Sequence, residues 1–391
     1  MTHRISSCRI SSLRTTKRLI AAGVAAIGAF AAAPALAQNA SVPILVPITG
    51  FLSLEGTSQR NGAVLAVKRG PAKLTVKADV SDTGTAPDVA VNALERVISR
   101  DKPNAVVASM LGTQMLAMLP VALEAKIPLL TVSGTAGITE QKNPFVFRFF
   151  PGDAVAKAAH VRYVVEELKK RRVALIYQTT AYGQGGRTEI VALLKKAGIE
   201  PVFQEALDVS VRDMSPVINK AKEQKPDVIM LHLHSQPTAL FVRAAAQQKL
   251  GLPIVAGSAM HQPQTAALLE PTELIGVCAE TNSSPVSGNT DEMRSFLLQY
   301  RAEFKTDPDG FAVGQFDGVS MALDAISKGA TTPVDLQKAL ASRTYKGLAM
   351  TYKSDGKGNM AHSAIIICYD GKDRIPRVVQ RYDNVTGVLG K

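Results

Sequence analysis

Residues 127–150, IPLLTVSGTAGITEQKNPFVFRFF, decide the fold that the sequence predicts. An apolar run at 127–132 is typical of a buried β-strand, and it breaks abruptly into the small polar segment SGTAG at 133–137. A second β-rich run follows at 145–150 and ends in Pro-Gly-Asp. Hydroxyl and glycine residues after a strand present O–H and N–H groups where open α/β sheets bind ligands, beyond the carboxyl ends of the strands. The stretch therefore predicts an α/β fold with a binding loop at 133–137.

The segments around this stretch alternate between strand-like and helix-like patterns. Helix-like segments such as 86–100 carry apolar residues at helical spacing. The same alternation restarts after Asp153, which predicts two mainly parallel sheets, each with helices on both faces. The polar residues 282–289 have the composition of a crossing between two such units. The chain then ends in helices and β-like segments.

The first 37 residues are typical of an export signal. Five Arg and Lys residues without an acid come first, an Ala-rich apolar run follows at 19–33, and Ala35-Leu36-Ala37 has the small residues of a cleavage site. The apolar run is shorter than the roughly 20 residues that a membrane-spanning helix needs. We expect cleavage after Ala37 and a periplasmic mature chain of 354 residues, which is long enough for two domains.

Charge and cysteine content narrow the possible partners. Removal of the five basic residues lowers the formal charge from +12 to +7, and no basic block interleaved with aromatic residues remains, so we expect no nucleic-acid partner. A mildly basic surface favours small anions.

The mature chain keeps only Cys278 and Cys368, each in an apolar β-like run. Buried free thiols are the simplest interpretation, and an oxidising exported environment also permits one disulfide.

Most catalytic signatures are absent from the sequence. It contains no GxxxxGK[ST] phosphate loop, no GxGxxG after a strand and no GxSxG nucleophile elbow. His232 and His234 would share one face of a strand and could hold a metal with His261, yet no Cys, Asp or Glu lies at ligand spacing beside them. We therefore expect a binding protein rather than an enzyme, with no metal and no cofactor, and with these histidines lining a pocket.

The N-terminal sequence VPILVPITGFLSLEGTSQRNGAVLAV, at 42–67, resembles the opening of exported solute-binding proteins of the leucine/isoleucine/valine-binding type. Such proteins are the periplasmic receptors of ATP-driven importers. The similarity runs through the mature chain in order, and it recurs at 105–135, at VALIY with YGQG (173–177 and 182–185), at 227–234 and at GQFDG (314–318).

This resemblance implies a type I periplasmic binding protein, in which two doubly wound Rossmann-like lobes are joined by three hinge crossings and the ligand lies in the cleft. It implies a first lobe at 38–152 plus 282–350 and a second lobe at 153–281 plus 351–391. The implied partners are a small-molecule carboxylate, an inner-membrane ABC permease and its ATPase. We expect a monomer.

Carrying the binding positions of the family over one residue at a time gives a candidate site. Ser133 and Thr135 match donors to a ligand carboxylate, although both side chains could instead cap a helix. Asp153 lies near an acid that faces the α-ammonium group in amino-acid binders, and Tyr182 matches a tyrosine that closes over the ligand. The other candidate positions are Phe51, Leu111, Gly112, Thr113, His232, His234, Ser235 and Ala259.

The sequence departs from the family at Ala259, where amino-acid binders usually carry Glu or Asp. A desolvated ammonium group needs a counter-charge. We therefore expect a carboxylate with an apolar or aromatic body and no ammonium group, such as a 2-oxo acid or an aromatic acid. An amino acid stays an alternative if Asp153 alone supplies the charge, and a sensory protein using the same clamp is another alternative.

Overall fold

The structure is a computed structural model that describes residues 38–288 and 290–385. The predicted export signal and its cleavage site, Asn289 of the predicted crossing and residues 386–391 lie outside this range. Within the described part of the chain, none of the helices combines the length and the apolar character that crossing a membrane requires.

The strands, in chain order, are β1 (Gln38–Ser41), β2 (Ile44–Val46), β3 (Leu74–Lys77), β4 (Val80–Asp82), β5 (Val106–Val107), β6 (Leu129–Thr131), β7 (Val146–Arg148), β8 (Val173–Gln178), β9 (Phe203–Leu207), β10 (Val228–His232), β11 (Ile254–Ala256), β12 (Val277–Thr281), β13 (Thr344–Lys346), β14 (Thr351–Lys353), β15 (Ala364–Cys368) and β16 (Arg377–Tyr382). The helices are α1 (Ser53–Lys68), α2 (Pro87–Asp101), α3 (Gly112–Ala125), α4 (Gly137–Glu140), α5 (Asp153–Arg162), α6 (Ala181–Lys196), α7 (Ser215–Glu223), α8 (Ser235–Gln247), α9 (Pro263–Ala266), α10 (Asp291–Phe304), α11 (Gly310–Ser327) and α12 (Pro333–Ser342).

The first open sheet has five parallel strands in the order β4-β2-β5-β6-β7. After β2 the chain adds β4 on one side and then β5, β6 and β7 on the other side. The strand order therefore reverses beside β2, and the carboxyl ends of β2 and β5 form a topological switch point. Strands β2, β5, β6 and β7 are fully buried, as expected for strands with helices on both faces.

The second open sheet has seven strands in the order β16-β15-β12-β11-β10-β8-β9. Strands β8 to β12 are parallel, and β15 and β16 continue the sheet in antiparallel pairings. After β8 the chain adds β9 on one side and then β10, β11 and β12 on the other side. The strand order therefore reverses beside β8, and the carboxyl ends of β8 and β10 form a second switch point. The predicted α/β class with two doubly wound sheets is confirmed. We call each sheet with its packed helices a lobe, numbered in this order.

The chain passes between the two sheets three times, after β7, after β12 and before β15. Tyr352 is buried in the core of the first lobe, with its ring centroid 5.4 Å from that of Phe149. Residues 358–360 lie along β7, where the N–H of Met360 donates to the carbonyl of Arg148 at 3.0 Å. The lobe bounds that the resemblance implies put 351–391 in the second lobe, whereas these contacts place Tyr352 and residues 358–360 against the first sheet. The reason is that residues 358–360 satisfy the free backbone groups of the edge strand β7.

Cys278 and Cys368 form a disulfide between β12 and β15. The two residues are opposite each other in the antiparallel register, with Cα atoms 4.0 Å apart, so their side chains meet on one face of the sheet. The interpretation as two free thiols is therefore wrong. The two cysteines are 90 positions apart in the chain, so the sequence alone does not show that they are paired. The bridge links the strand before the second crossing to the strand after the third crossing.

Candidate functional site

The two switch points face each other across a small cavity. Its wall consists of loops and helix starts that follow β2, β5, β6, β8, β10 and β11, together with the start of α11, so both lobes contribute. Its volume is about 30 Å³, far below the roughly 300–1,000 Å³ of most small-molecule pockets, so a ligand needs a wider cavity. The residues that line it are Leu52, Glu55, Met110, Gly112, Gly134, Tyr182, His234, Ser258, Ala259 and Phe311.

A buried guanidinium group holds the loop at 133–137. Arg148 Nη1 donates to the carbonyl oxygens of Ser133, Gly134 and Thr135 at 3.3, 3.2 and 2.7 Å. Burial lowers the pKa of Arg148 to about 10, which leaves the group charged near neutral pH. Three hydrogen bonds to one charged group therefore hold the loop with Gly134 at the cavity wall.

The side chains of Ser133 and Thr135 are buried, yet neither hydroxyl has a hydrogen-bond partner within the described residues. They do not cap a helix, because the short helix α4 begins after Ala136 with no side-chain cap. Thr135 Oγ1 lies against the start of α3, where a Cβ added to Gly112 would be 2.1 Å from it. Helix α3 follows Leu111 without a side-chain cap. An unpaired hydroxyl therefore adjoins the free N–H groups of a helix start.

Asp153 links this loop to the second lobe. Its backbone N–H donates to the carbonyl of Gly134 at 2.8 Å, and its Oδ2 accepts from the N–H of Ala136 at 3.3 Å. Burial raises the pKa of Asp153 to about 7, although the charges of Lys157 and Arg148 oppose this shift. The carboxyl group therefore changes its protonation near neutral pH, at a position behind the loop.

Tyr182, His232 and His234 form an aromatic cluster on the second-lobe side. The ring of Tyr182 lies 3.9 Å from that of His232 and 5.3 Å from that of His234, and Phe51 of the first lobe lies 5.4 Å from His234. His232 Nε2 donates to the carbonyl of Tyr182 at 2.9 Å, and His234 Nε2 lies 3.1 Å from Thr180 Oγ1. Burial lowers the pKa of His234 to about 4 and that of His232 well below its usual value, so both rings are neutral near pH 7.

His232, His234 and His261 contact other groups of the protein through their ring nitrogens. Within residues 38–288 and 290–385, no three His, Cys, Asp or Glu side chains are arranged to hold a metal ion. His261 Nε2 accepts from the N–H of Gly310 at 2.8 Å, and its Nδ1 donates to the carbonyl of Ser258. His232 Nε2 lies 3.9 Å from Asp153 Oδ1, but the ring is neutral, so this contact is not an ion pair.

Small side chains complete the second-lobe wall. Ala259 lies in the 3-10 turn Ser258–His261, and the hydroxyl of Ser258 is 3.3 Å from Tyr182 Oη. Ser235 begins α8, and its hydroxyl donates to Gln262 Oε1 at 2.6 Å. The hydroxyl groups of this wall are therefore paired with each other or with neighbouring side chains.

A buried charged cluster supports this wall from behind. Lys157 Nζ donates to Glu280 Oε1, and His160 Nδ1 lies 2.9 Å from Glu280 Oε2, with all three side chains excluded from solvent. Burial opposes the ionisation of Glu280, but the charges of Lys157 and His160 outweigh it and hold the pKa below its usual value. Lys157 Nζ is also 5.8 Å from the ring centre of Tyr182. The cluster thus fixes a cation under the aromatic wall.

A family model described as periplasmic binding protein matches residues 40–370. The chain belongs to the periplasmic binding protein family. A leucine-, isoleucine-, valine-, threonine- and alanine-binding protein of Pseudomonas aeruginosa is 23% identical over 345 residues, which cover 86% of this chain and 91% of that protein.

Solved structures of the family share the fold of this periplasmic binding protein. A leucine-binding protein from Thermotoga maritima has a TM-score of 0.80 at 21% identity, covering 88% of this chain and 99% of its own. A solute-binding protein of an ABC transporter from Rhodopseudomonas palustris, in complex with 3,4-dihydroxybenzoic acid, has a TM-score of 0.79 at 20% identity, covering 89% and 98%. The predicted type I fold with two lobes is confirmed.

In this periplasmic binding protein, four of the twelve candidate positions line the cavity, namely Gly112, Tyr182, His234 and Ala259. The others adjoin the wall without lining it: Phe51, Leu111, Thr113, Ser133, Thr135, Asp153, His232 and Ser235.

Six lining residues were not among the candidate positions: Leu52, Glu55, Met110, Gly134, Ser258 and Phe311. Leu52 and Met110 follow the strands of the first switch point, and Gly134 belongs to the loop at 133–137, so position after a strand was a usable signal. Phe311 comes from α11, far along the chain, and no local pattern connects it to the cavity. Glu55 lies in the first turn of α1, where an acid ordinarily indicates only a favourable helix start.

Proposed function

We propose that this protein captures a small carboxylate between its lobes and delivers it to an inner-membrane ABC permease and its ATPase. The observation that carries this proposal is that the hydroxyls of Ser133 and Thr135, beside the uncapped start of α3, have no partner among the described residues. A helix N-terminus offers free N–H groups and partial positive charge. A buried polar group without a partner costs about 1–3 kcal/mol, and a ligand carboxylate that accepts from both hydroxyls offsets that cost.

We propose that binding and lobe closure are coupled. Hydrogen bonds already cross between the lobes in this structure: Gln262 Nε2 donates to Asp309 Oδ2 at 2.5 Å, and the N–H of Gly310 donates to His261 at 2.8 Å. Since the cavity holds only about 30 Å³, the lobes have to separate for a ligand to enter. A ligand that contacts both lobes favours the closed state by its differential affinity. The moving bodies would be 38–152 plus 282–361 and 153–281 plus 362–385.

The proposed ligand has an apolar or aromatic body, as in a 2-oxo acid or an aromatic acid. Leu52, Met110 and Phe311 supply apolar surface to the cavity, and the ring of Tyr182 supplies an aromatic face. Ala259 lines the cavity with a methyl group, which provides no counter-charge for an ammonium group.

An amino acid is the second candidate ligand, and one observation favours it. Glu55, which was not among the candidate positions, brings a carboxyl group into the cavity wall, and Asp153 lies just behind the loop. Either group could balance an ammonium group.

We propose that the protein acts in the periplasm as a monomer, binds its ligand without a cofactor and does not transform it. Its family membership and the absence of a nucleophile, base and orienter set from the described cavity wall support binding over catalysis.

Thermal unfolding of the mature chain against amino acids, 2-oxo acids, aromatic acids and dicarboxylates tests the proposal. A true ligand at 100 times its Kd stabilises the folded state by about 2.7 kcal/mol, which moves the midpoint by several degrees. We expect 2-oxo or aromatic acids to shift the midpoint. A shift by branched-chain amino acids alone would replace the leading ligand by the second candidate, and no shift by any carboxylate would overturn the proposed function.

A further inference from the structure

Glu55 lies in the cavity wall, and the proposed binding of the ligand carboxylate by Ser133 and Thr135 does not explain its position there. The side chain is 2% exposed, and it lines the same cavity as Gly112 and Gly134. Within the described residues its Oε2 has no hydrogen-bond partner. A carboxylate oxygen in this state is an acceptor that lacks a donor, which is costly unless a bound molecule supplies one.

The other oxygen of Glu55 reaches across the cleft. Its Oε1 accepts from the backbone N–H of Ser235 at 2.9 Å, and Ser235 is the first residue of the 13-residue helix α8 in the second lobe. The start of a helix stabilises a negative charge. Burial raises the pKa of Glu55, and the hydrogen bond from Ser235 opposes that shift.

No other polar group of the described cavity wall meets the need of Glu55. Tyr182 Oη is paired with Ser258 at 3.3 Å, and His234 Nε2 lies 3.1 Å from Thr180 Oγ1. No Lys or Arg is among the described residues that line the cavity, and the other residues there are apolar or glycine. Among the described residues no donor reaches Glu55 Oε2, so a molecule bound in the cavity is the remaining source of one.

We propose that Glu55 determines specificity by accepting a hydrogen bond from a hydroxyl or ammonium group of the ligand. This inference rests on the proposed function, in which the carboxylate of the same ligand lies at Ser133 and Thr135. Among the ligands proposed above, this favours a carboxylate that also carries a donor group, such as a hydroxybenzoate or an amino acid, over a 2-oxo acid without one. Because the same side chain holds the start of α8, recognition of the donor also strengthens a contact between the lobes.

The test uses matched ligands that differ in the donor group. Isothermal titration of the mature chain is carried out with benzoate against 3- and 4-hydroxybenzoate, and with 4-methyl-2-oxopentanoate against leucine. The variants are Glu55→Leu, which removes both acceptor oxygens, and Glu55→Gln, which keeps one neutral acceptor. Glu95→Gln, on the exposed face of α2, is the matched control. Thermal unfolding without ligand establishes that each variant is folded.

We expect the unaltered protein to prefer the donor-bearing member of at least one pair by about tenfold or more, as for a hydrogen bond to a charged group. Glu55→Leu should remove most of this preference, so that the donor-bearing member loses about tenfold more affinity than the donor-lacking member, while loss of the contact with Ser235 weakens both members equally. Glu55→Gln should give an intermediate preference, and Glu95→Gln none of these changes. The comparison of benzoate with the hydroxybenzoates tests recognition of a hydroxyl group, and the comparison of 4-methyl-2-oxopentanoate with leucine tests recognition of an ammonium group.

Three results would overturn the inference while the proposed function stands. The first is an unchanged preference in Glu55→Leu, and the second is an equal loss of affinity for both members of each pair, which would assign Glu55 to lobe closure alone. The third is a preference of the unaltered protein for donor-lacking ligands. If none of these carboxylates binds, the proposed function fails and this inference fails with it.

Discussion

Replacement of Ser133 and Thr135 together by alanine is expected to weaken carboxylate binding by more than tenfold. Each hydroxyl is buried with no partner in the part of the chain that the structure describes, and hydrogen bonds to a charged acceptor contribute about 1.5–3 kcal/mol each. Since about 1.4 kcal/mol corresponds to a factor of ten, even partial compensation by water leaves a large loss. Isothermal titration with the carboxylate that gives the largest thermal shift measures it.

The double variant S99A/T188A is the control for this experiment, because both hydroxyls lie on exposed helix surfaces and donate to backbone carbonyls. Its affinity should equal that of the unaltered protein. If S133A/T135A also binds with unchanged affinity, the carboxylate lies elsewhere and these hydroxyls have only a structural role.

The second large effect is expected at the buried cluster. Lys157→Met should lower the free energy of unfolding by about 3–5 kcal/mol, because it leaves Glu280 buried without its main counter-charge. Chemical denaturation of the ligand-free protein measures the change. Addition of Glu280→Gln to the same chain should restore much of the loss, since the carboxylate that Lys157 balanced is then replaced by a neutral amide.

The exposed pair of Lys220 and Glu205, with Nζ and Oε1 3.1 Å apart, is the matched control. Lys220→Met should change stability by less than about 1 kcal/mol, as for surface ion pairs in general. Equal small losses for both lysine variants would show that Lys157 does not stabilise the fold through its charge.

Local patterns were sufficient to predict the α/β class, the restart after Asp153 and the loop at 133–137. Strand runs, helical spacing and small residues after a strand are properties of neighbouring residues. They predict the strands and the loops after them, and the two switch points lie at the ends of such strands. The resemblance to exported binding proteins predicted in addition that two lobes enclose a ligand cleft.

What the sequence did not predict depends on contacts between distant residues. The disulfide joins Cys278 to Cys368 through the register of β12 with β15, which no local pattern encodes. Residues 358–360 join the first lobe because β7 has a free edge. Glu55 looks like an ordinary first-turn acid of α1 until the fold places Ser235 opposite it. In each case the partner lies in another segment of the chain.

Small-angle X-ray scattering of the mature protein, with and without a saturating carboxylate identified by thermal shift, tests the central claim most directly. Closure of two lobes on a ligand predicts a smaller radius of gyration in the bound state, and no such change for S133A/T135A at a concentration where that variant stays unbound. An unchanged radius of gyration in a sample that titration shows to be saturated would contradict capture by lobe closure.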